Sequence, residues 1–196
     1  CYTGKCELGM LIADAFLTML STPDRPLNGA FLQAGGVRAA LPAGNITNGD
    51  LLHILPFGTT TDIFDIKGRY LRDALENGAI RRFNSGKFLL QVSGITYKVD
   101  FGRPELSRVS DVKINVGGQM TSLDDEQTYS LATSSFLLRG GDHFTVLKDH
   151  KQNVRQAGVD IDIVTDYLRQ MSTIARSSLI DCPAEPCRLH VTGLPN

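Results

Sequence analysis

The chain has 196 residues, of which 42% are hydrophobic, and its formal net charge is −1. This length and apolar content suffice for a buried core, so we expect residues 1–196 to form a single domain. Lys and Arg are scattered along the chain, which argues against partners such as nucleic acid or an anionic membrane. The longest apolar runs are far shorter than the roughly 20 residues that cross a bilayer, so no membrane span is expected.

The first third of the chain predicts a helix followed by a strand. Apolar residues recur at helical spacing over 8–20, and a proline in 21–24 ends that pattern. Residues 30–33 form a short apolar segment that runs into the glycine-rich 34–38. We interpret this as a strand that leaves its sheet through a turn in which backbone amides can approach a ligand.

Three further elements are predicted before residue 80. Thr47 or Asn48 can cap a short helix that continues through Leu52. Residues 60–66 are rich in strand-forming side chains. A helix is expected over 68–76, with Asn77-Gly78 as its end.

The middle and last thirds predict strands and then a helix. Segments 88–93 and 95–101 flank Gly94, and 109–116 ends at two glycines, which is typical of an antiparallel meander. Another strand is expected over 129–133, and apolar spacing over 161–171 predicts a final helix. Because strands and helices do not alternate regularly, we predict a mixed α/β or α+β domain.

The four cysteines form two short pairs near the chain ends, Cys1 with Cys6 and Cys182 with Cys187. This spacing favours two local disulfides, Cys1 to Cys6 among them, and therefore an oxidising compartment. A zinc site that joins all four thiols is the open alternative. We expect residues 176–196 to be a peripheral tail that the second pair holds in place.

Asn45-Ile46-Thr47 is a sequon for N-glycosylation. It makes Asn45 a candidate modification site and is consistent with secretion.

Motifs of hydrolytic enzymes are absent from the sequence. It contains no G-x-S-x-G, H-E-x-x-H, P-loop or G-x-G-x-x-G pattern. Asp142-His143 and Asp149-His150 are adjacent pairs, and on strands their side chains would point apart. We therefore predict no catalytic residue, no metal site and no cofactor in this chain.

Three loop segments carry groups that suit a nucleotide: 33–38, 55–58 and 134–142. Phe57 and Phe136 can stack on the two faces of a base. Asp142 can accept hydrogen bonds from vicinal ribose hydroxyls, and Arg38 can bind a phosphate. The alternatives are core phenylalanines, a surface arginine, and glycines that serve only turns.

Several ordered motifs carry a resemblance over nearly the whole chain. The first fifteen residues are similar to C-R-x-x-E-C-N-x-G-N-L-I-x-D-A, residues 33–38 to N-G-G-G-I-R, and 136–144 to F-L-x-x-G-G-D-G-F, with Ile46-Thr47 and Leu55-Pro56-Phe57-Gly58 between them. In these motifs the chain resembles the C-terminal domain of the 5′-nucleotidase family, which includes bacterial periplasmic nucleotidases, animal ecto-5′-nucleotidases and apyrases of blood feeders.

The resemblance implies a four-layer α/β/β/α domain with mixed sheets that binds a nucleoside or nucleotide, adenosine or AMP first among them. It implies stacking by Phe57 and Phe136, ribose contact by Asp142, phosphate contact by Arg38, and a nucleoside contact by Gln33 beside Gly35 and Gly36. Hydrolysis is expected from two divalent metal ions in an N-terminal metallophosphatase domain, which would be the partner of this chain in a secreted or periplasmic protein.

Departures from the family motifs leave two hypotheses open. Tyr2, Lys5, Glu7 and Met10 replace the family's arginine, glutamate and asparagines, and Gln33 replaces another asparagine. The chain is either the substrate-recognition domain of a nucleotidase, inactive by itself, or a stand-alone secreted protein that binds nucleosides or a host protein without catalysis.

Overall fold

The computed structural model describes residues 6–80, 89–171, 173–174 and 188–193. The helices are α1 (Glu7–Leu20), α2 (Asn48–Ile54), α3 (Gly68–Gly78), α4 (Ser135–Leu138), α5 (Thr145–His150) and α6 (Asp160–Gln170). The strands are β1 (Gly29–Gln33), β2 (Thr60–Lys67), β3 (Leu90–Ser93), β4 (Ile95–Asp100), β5 (Val109–Val116), β6 (Gln119–Ser122), β7 (Thr128–Ser134), β8 (Gln152–Val159) and β9 (Leu189–Thr192).

Helix α1 is fixed at its start by the neighbouring strand β3. The sulfur of Cys6 accepts a hydrogen bond from the Gly9 amide at 3.3 Å, and the Cys6 amide donates to Gln91 Oε1 at 2.7 Å. A Cβ at Gly9 would lie 2.6 Å from Cγ of Gln91. The helix can therefore lie close to the strand because residue 9 has no side chain.

Helix α2 is capped by Thr47, one of the two caps that the sequence predicts, and it begins with a capping box. The Thr47 hydroxyl accepts a hydrogen bond from the Asp50 amide, and the Asp50 carboxylate accepts one from the Thr47 amide. Both otherwise unpaired amides at the start of the helix are thus satisfied.

The strands form two mixed sheets. The five-stranded sheet has the order β3-β1-β7-β2-β8, and the four-stranded sheet has the order β6-β5-β4-β9. Parallel pairs, β1 with β7 and β4 with β9, occur in both sheets beside antiparallel ones. The predicted fold class, a mixed α/β domain with mixed sheets, is confirmed.

The expected meander around Gly94 is wrong in one respect. Strand β3 pairs with β1 in the five-stranded sheet, whereas β4 pairs with β5 and β9 in the other sheet. Gly94 makes the crossing with φ of +70°, and a Cβ there would lie 2.5 Å from the Asn28 carbonyl oxygen. The chain therefore changes sheets at this glycine instead of forming a hairpin.

Apolar side chains collect in two clusters. One contains Phe31 and Phe64 of the five-stranded sheet, Tyr97 and Ile114 of the four-stranded sheet, and Leu75 of α3. The other joins α1, α2 and α6 to the opposite face of the five-stranded sheet; its members include Ile12, Phe16, Leu51, Ile63 and Val164. The five-stranded sheet is thus covered on both faces.

The structure leaves the predicted disulfide pairing open. Cys6 is the one cysteine in the described part, and its thiol is not free. Cys1 lies outside the described residues, so its pairing with Cys6 remains a prediction. Both Cys182 and Cys187 also lie outside the described residues. The structure therefore does not confirm the disulfide predicted between Cys182 and Cys187, and that bond stays a prediction.

The predicted tail, residues 176–196, is described only over 188–193. In that range β9 pairs with β4 and extends the four-stranded sheet. This part of the tail therefore forms an edge strand of that sheet, and the rest of the predicted tail lies outside the described residues.

Membrane-spanning helices are not found in the described ranges. None of the helices there has the length and apolar character needed to cross a bilayer.

Candidate functional site

The predicted site segments converge on one edge of the five-stranded sheet. Strands β1, β7 and β8 run in the same direction and β2 runs opposite to them. The same edge of the sheet therefore carries the residues that follow β1 and β7, the residues that precede β2, and the start of α6 after β8. These are the Gln33–Arg38 turn, the Phe136 segment, the Phe57 turn and Asp160.

Phe57 lies on the exposed turn before β2. Its side chain is 65% exposed, and the guanidinium carbon of Arg38 lies 5.9 Å from the ring centroid. The Arg38 amide donates to the Ile54 carbonyl at 2.9 Å, and its Nη1 donates to the Gly35 carbonyl at 3.2 Å. Two predicted site residues from separate segments are thus in contact.

Phe136 lies on the short helix α4, which follows β7, and is 43% exposed. The Ser134 hydroxyl accepts a hydrogen bond from the Leu137 amide at the start of this helix. A Cβ at Gly141 would lie 2.5–2.6 Å from three carbons of the Phe136 ring. The ring therefore rests directly on the glycine that precedes Asp142.

The two aromatic segments are joined by direct contacts between β2 and β7. Thr61 is paired with Ser134, and the Thr60 hydroxyl donates to the Ser135 hydroxyl at 2.8 Å. Phe57 stands three residues before Thr60, and Phe136 directly follows Ser135. Two exposed phenylalanines at the ends of neighbouring strands can bind a flat apolar group.

Asp142 lies in a 3₁₀ turn, Gly141–His143, rather than on a strand. Asp142 and His143 both have positive φ, 50° and 65°, and the His143 carbonyl accepts a hydrogen bond from Asn77 Nδ2 at 2.6 Å. Partial burial raises the pKa of the Asp142 carboxyl above its ordinary value, and the charge of His143 acts in the opposite direction. The carboxylate is therefore half-buried at the edge of the turn.

Gln33 ends strand β1 and is 8% exposed. Its side-chain amide lies beside Gly36, at 3.7 Å from the position that a Cβ would take there. Residues 34–36 form a 3₁₀ turn, which carries Gly35 and Gly36 toward Arg38. Gln33 is therefore mostly covered and borders the turn from the sheet side.

Two buried carboxyl groups at this edge were not singled out from the sequence. Asp62 is 9% exposed, and burial raises its pKa while the charge of Arg139 lowers it. Asp160 is 6% exposed, its pKa is raised by burial, and its amide donates to the Thr59 carbonyl at 2.9 Å. The sequence shows Asp160 as an acidic residue at the start of a predicted helix. Its burial depends on the pairing of the strands and could not be predicted.

A cleft of about 1270 Å³ lies beside the Arg38 end of the site. It is lined by residues 37–48, by the start of α1 and by the end of α6, and it does not include Phe57, Phe136 or Asp142. Because both rings are exposed, the candidate base site lies on the surface outside this cleft. Asn45 lines the cleft and is exposed; its glycosylation remains a prediction.

Metal-ligating side chains do not gather in the part of the chain that the structure describes. No group of three or more His, Cys, Asp or Glu residues could hold an ion there. Asp149 and His150, the other adjacent pair, belong to helix α5, where the His150 ring stacks on Tyr70 at 3.7 Å. The groups described above suit binding through stacking, hydrogen bonding and charge.

Comparison with known proteins identifies the family. Residues 1–149 match the family model for the 5′-nucleotidase C-terminal domain. The chain is 33% identical over 186 residues to an apyrase of Tabanus yao, an alignment that covers 89% of this chain and 34% of the apyrase. It is 35% identical over 190 residues to a 5′-nucleotidase of Diplobatis ommata, an alignment that covers 89% of this chain and 32% of the nucleotidase. The chain thus spans about a third of these relatives.

Solved structures agree with this assignment. A 5′-nucleotidase precursor of Thermus thermophilus superposes with a TM-score of 0.86 at 34% identity over 98% of this chain and 36% of that one. The NAD nucleotidase of Haemophilus influenzae has a TM-score of 0.76 at 18% identity, over 96% of this chain and 33% of that one, and it shows the same fold. The resemblance predicted from the sequence is confirmed, and the chain belongs to the 5′-nucleotidase C-terminal domain family.

Proposed function

We propose that this domain binds the nucleoside part of a nucleotide at the exposed edge of its five-stranded sheet. The base would lie between Phe57 and Phe136, the ribose hydroxyls would bind the Asp142 carboxylate, and Arg38 would contact the phosphate side. Gln33, Gly35 and Gly36 would border the nucleoside. The observation that carries the proposal is the pair of exposed phenylalanines on segments that neighbouring strands bring together.

The proposed role in the whole protein is substrate recognition. The chain spans about a third of its relatives, some of which are named apyrase or 5′-nucleotidase. We infer that hydrolysis of an extracellular nucleotide such as AMP is performed by a metallophosphatase domain with two divalent metal ions. A secreted protein with one disulfide between Cys1 and Cys6 and another between Cys182 and Cys187 would fit this role.

Calorimetric titration of the chain with adenosine tests base stacking. Stacking on an aromatic side chain contributes roughly 1–3 kcal/mol per base, so Phe57→Ala and Phe136→Ala are each expected to weaken binding about 5-fold to 150-fold. Met120→Ala is the matched control, since Met120 is 42% exposed on β6 of the other sheet. No saturable binding at millimolar adenosine, or undiminished binding by both phenylalanine variants, would contradict the proposal.

The phosphate contact is tested with AMP and adenosine side by side. A charge-assisted hydrogen bond contributes about 1.5–3 kcal/mol, so Arg38→Ala is expected to weaken AMP binding by at least tenfold more than adenosine binding. An equal loss for both ligands would place Arg38 beside Phe57 as a packing residue without a phosphate contact.

The stand-alone hypothesis predicts a different result in the same assays. A binder of nucleosides without catalysis would bind adenosine at least as tightly as AMP and would be insensitive to Arg38→Ala. An upstream metallophosphatase reading frame in the same transcript would argue for the recognition domain of an enzyme.

A further inference from the structure

Asn77 joins helix α3 to the turn that carries Asp142. It lies in the last turn of α3 and is half-buried, and its side-chain amide donates to the His143 carbonyl at 2.6 Å. The two residues are 66 positions apart in the sequence. The bond therefore fixes the turn against an element outside the candidate site.

The turn needs such a restraint because its backbone is unfavourable. Asp142 and His143 follow one another with φ of 50° and 65°, in the left-handed region that residues with a side chain rarely adopt. Such conformations persist when the surrounding structure holds them in place. On the far side of the turn, Phe144 is fully buried and its amide donates to the Gly141 carbonyl at 3.0 Å.

We propose that Asn77 is a positioning residue for ribose recognition, because its hydrogen bond to the His143 carbonyl holds the turn in the conformation that presents the Asp142 carboxylate. This inference rests on the proposed function of the site. Phe144 anchors the turn to the core, and Asn77 holds the carbonyl of His143, the residue after Asp142. The carboxylate then meets the two sugar hydroxyls without a rearrangement of the turn.

The proposal separates sugar recognition from base stacking. Loss of the Asn77 bond would let the turn leave its left-handed conformation, so the carboxylate would be misplaced in part of the molecules. Gly141, against which the Phe136 ring lies, keeps its own hydrogen bond from the Phe144 amide. A ligand without the 2′ and 3′ hydroxyls would therefore not detect this change. One neutral hydrogen bond corresponds to roughly a fivefold change in an equilibrium constant.

The test is calorimetric titration with adenosine and 2′,3′-dideoxyadenosine, using wild type, Asn77→Ala and Asn77→Asp. Neither variant can donate to the His143 carbonyl, and alanine at a helical position favours the helix, so the chain is expected to fold. We expect the ratio of the two affinities to fall about fivefold in both variants, with dideoxyadenosine affinity within twofold of wild type. Asn115→Ala is the matched control, since its side-chain oxygen accepts from the Gly118 amide in the turn between β5 and β6.

A double-mutant cycle gives a second readout. In an Asp142→Asn background, Asn77→Ala should leave the affinity ratio unchanged, because the group that Asn77 positions is already altered. The inference is overturned if Asn77→Ala keeps the wild-type ratio within twofold, or if it weakens both ligands equally. A wild-type chain that binds neither ligand would instead overturn the proposed function together with the inference.

Discussion

The ring of Phe136 lies against the backbone of Gly141, so that a methyl group at residue 141 would lie 2.5–2.6 Å from three ring carbons. The ring's position thus depends on a residue without a side chain. Asp142 follows this glycine, so the residue that the ring contacts directly precedes the carboxylate of the candidate site.

Gly141→Ala is expected to abolish base stacking by Phe136 while the fold persists. The added methyl group must displace the Phe136 ring, which can move because it is 43% exposed. The free energy of unfolding should change by less than about 1 kcal/mol, whereas adenosine affinity should fall as far as in Phe136→Ala. Urea unfolding and calorimetry measure the two quantities.

Gly158→Ala is the control, because it adds a methyl group at a glycine that no aromatic ring contacts at short distance. Its nearest neighbour would be a side-chain carbon of Ile163 at 3.6 Å, an ordinary van der Waals distance. Full adenosine affinity in Gly141→Ala would show that the ring can stack from another position.

Ribose recognition is expected to weaken on acidification, starting at a higher pH than for an ordinary aspartate. Burial raises the pKa of Asp142 above its usual 3.8, and the ribose hydroxyls would donate to the ionised form. Adenosine affinity should therefore fall as the pH decreases through the raised pKa, and 2′,3′-dideoxyadenosine affinity should stay constant. A ratio that does not depend on pH, or one that still changes in Asp142→Asn, would contradict this assignment.

Asp62→Asn is expected to remove a pH-dependent contribution to stability. Burial raises the folded-state pKa of Asp62, so the folded state binds its proton more readily than the unfolded state. The stabilisation from that proton is complete below the unfolded value of 3.8 and is lost as the pH rises through the folded pKa. Wild type should therefore gain stability relative to Asp62→Asn on acidification, and the variant should be at least as stable at neutral pH.

Chemical unfolding at several pH values checks this direction. Asp73→Asn on the exposed surface of α3 serves as the control for loss of one carboxylate. A wild type that loses stability relative to Asp62→Asn as the pH falls would show that Arg139 dominates over burial.

Much of the fold was accessible from local patterns, and the topology was not. Apolar spacing predicts α1, and the Thr47 capping signal predicts α2, because both depend on residues a few positions apart. The change of sheets at Gly94 depends on the pairing of β3 with β1, which lies far away in the sequence. Strand β8 was missed because it is an edge strand with mostly exposed side chains and therefore lacks the alternation that marks a strand.

The candidate site divides in the same way. The resemblance supplies Phe57, Phe136 and Asp142, and the structure brings their segments to one sheet edge. The bond between Asn77 and His143 left no trace in the sequence, where Asn77 predicts only a helix end. Contacts of this kind depend on which helix packs beside which turn.

Substitution by alanine is expected to have opposite effects at Gly68 and at Gly49. The start of α3 at Gly68 is crowded, whereas the start of α2 at Gly49 is open. A methyl group at Gly68 would collide with the backbone carbonyl of Asp124, whose carbon would be 2.8 Å away. Neither backbone segment can withdraw easily, since the Gly68 amide donates to the Gln127 carbonyl at 2.9 Å. Gly68→Ala should therefore lower the free energy of unfolding by about 1–3 kcal/mol or more.

At Gly49 the nearest atom to the added methyl group would be the Thr47 hydroxyl oxygen at 3.6 Å. The substitution relieves the helix of a glycine without a clash, so Gly49→Ala should raise the free energy of unfolding by about 0.5–1 kcal/mol. Urea unfolding with an unchanged m-value measures both effects. A Gly68→Ala variant as stable as Gly49→Ala would mean that the segment around Asp124 yields, and that the start of α3 is not held against it by backbone hydrogen bonds.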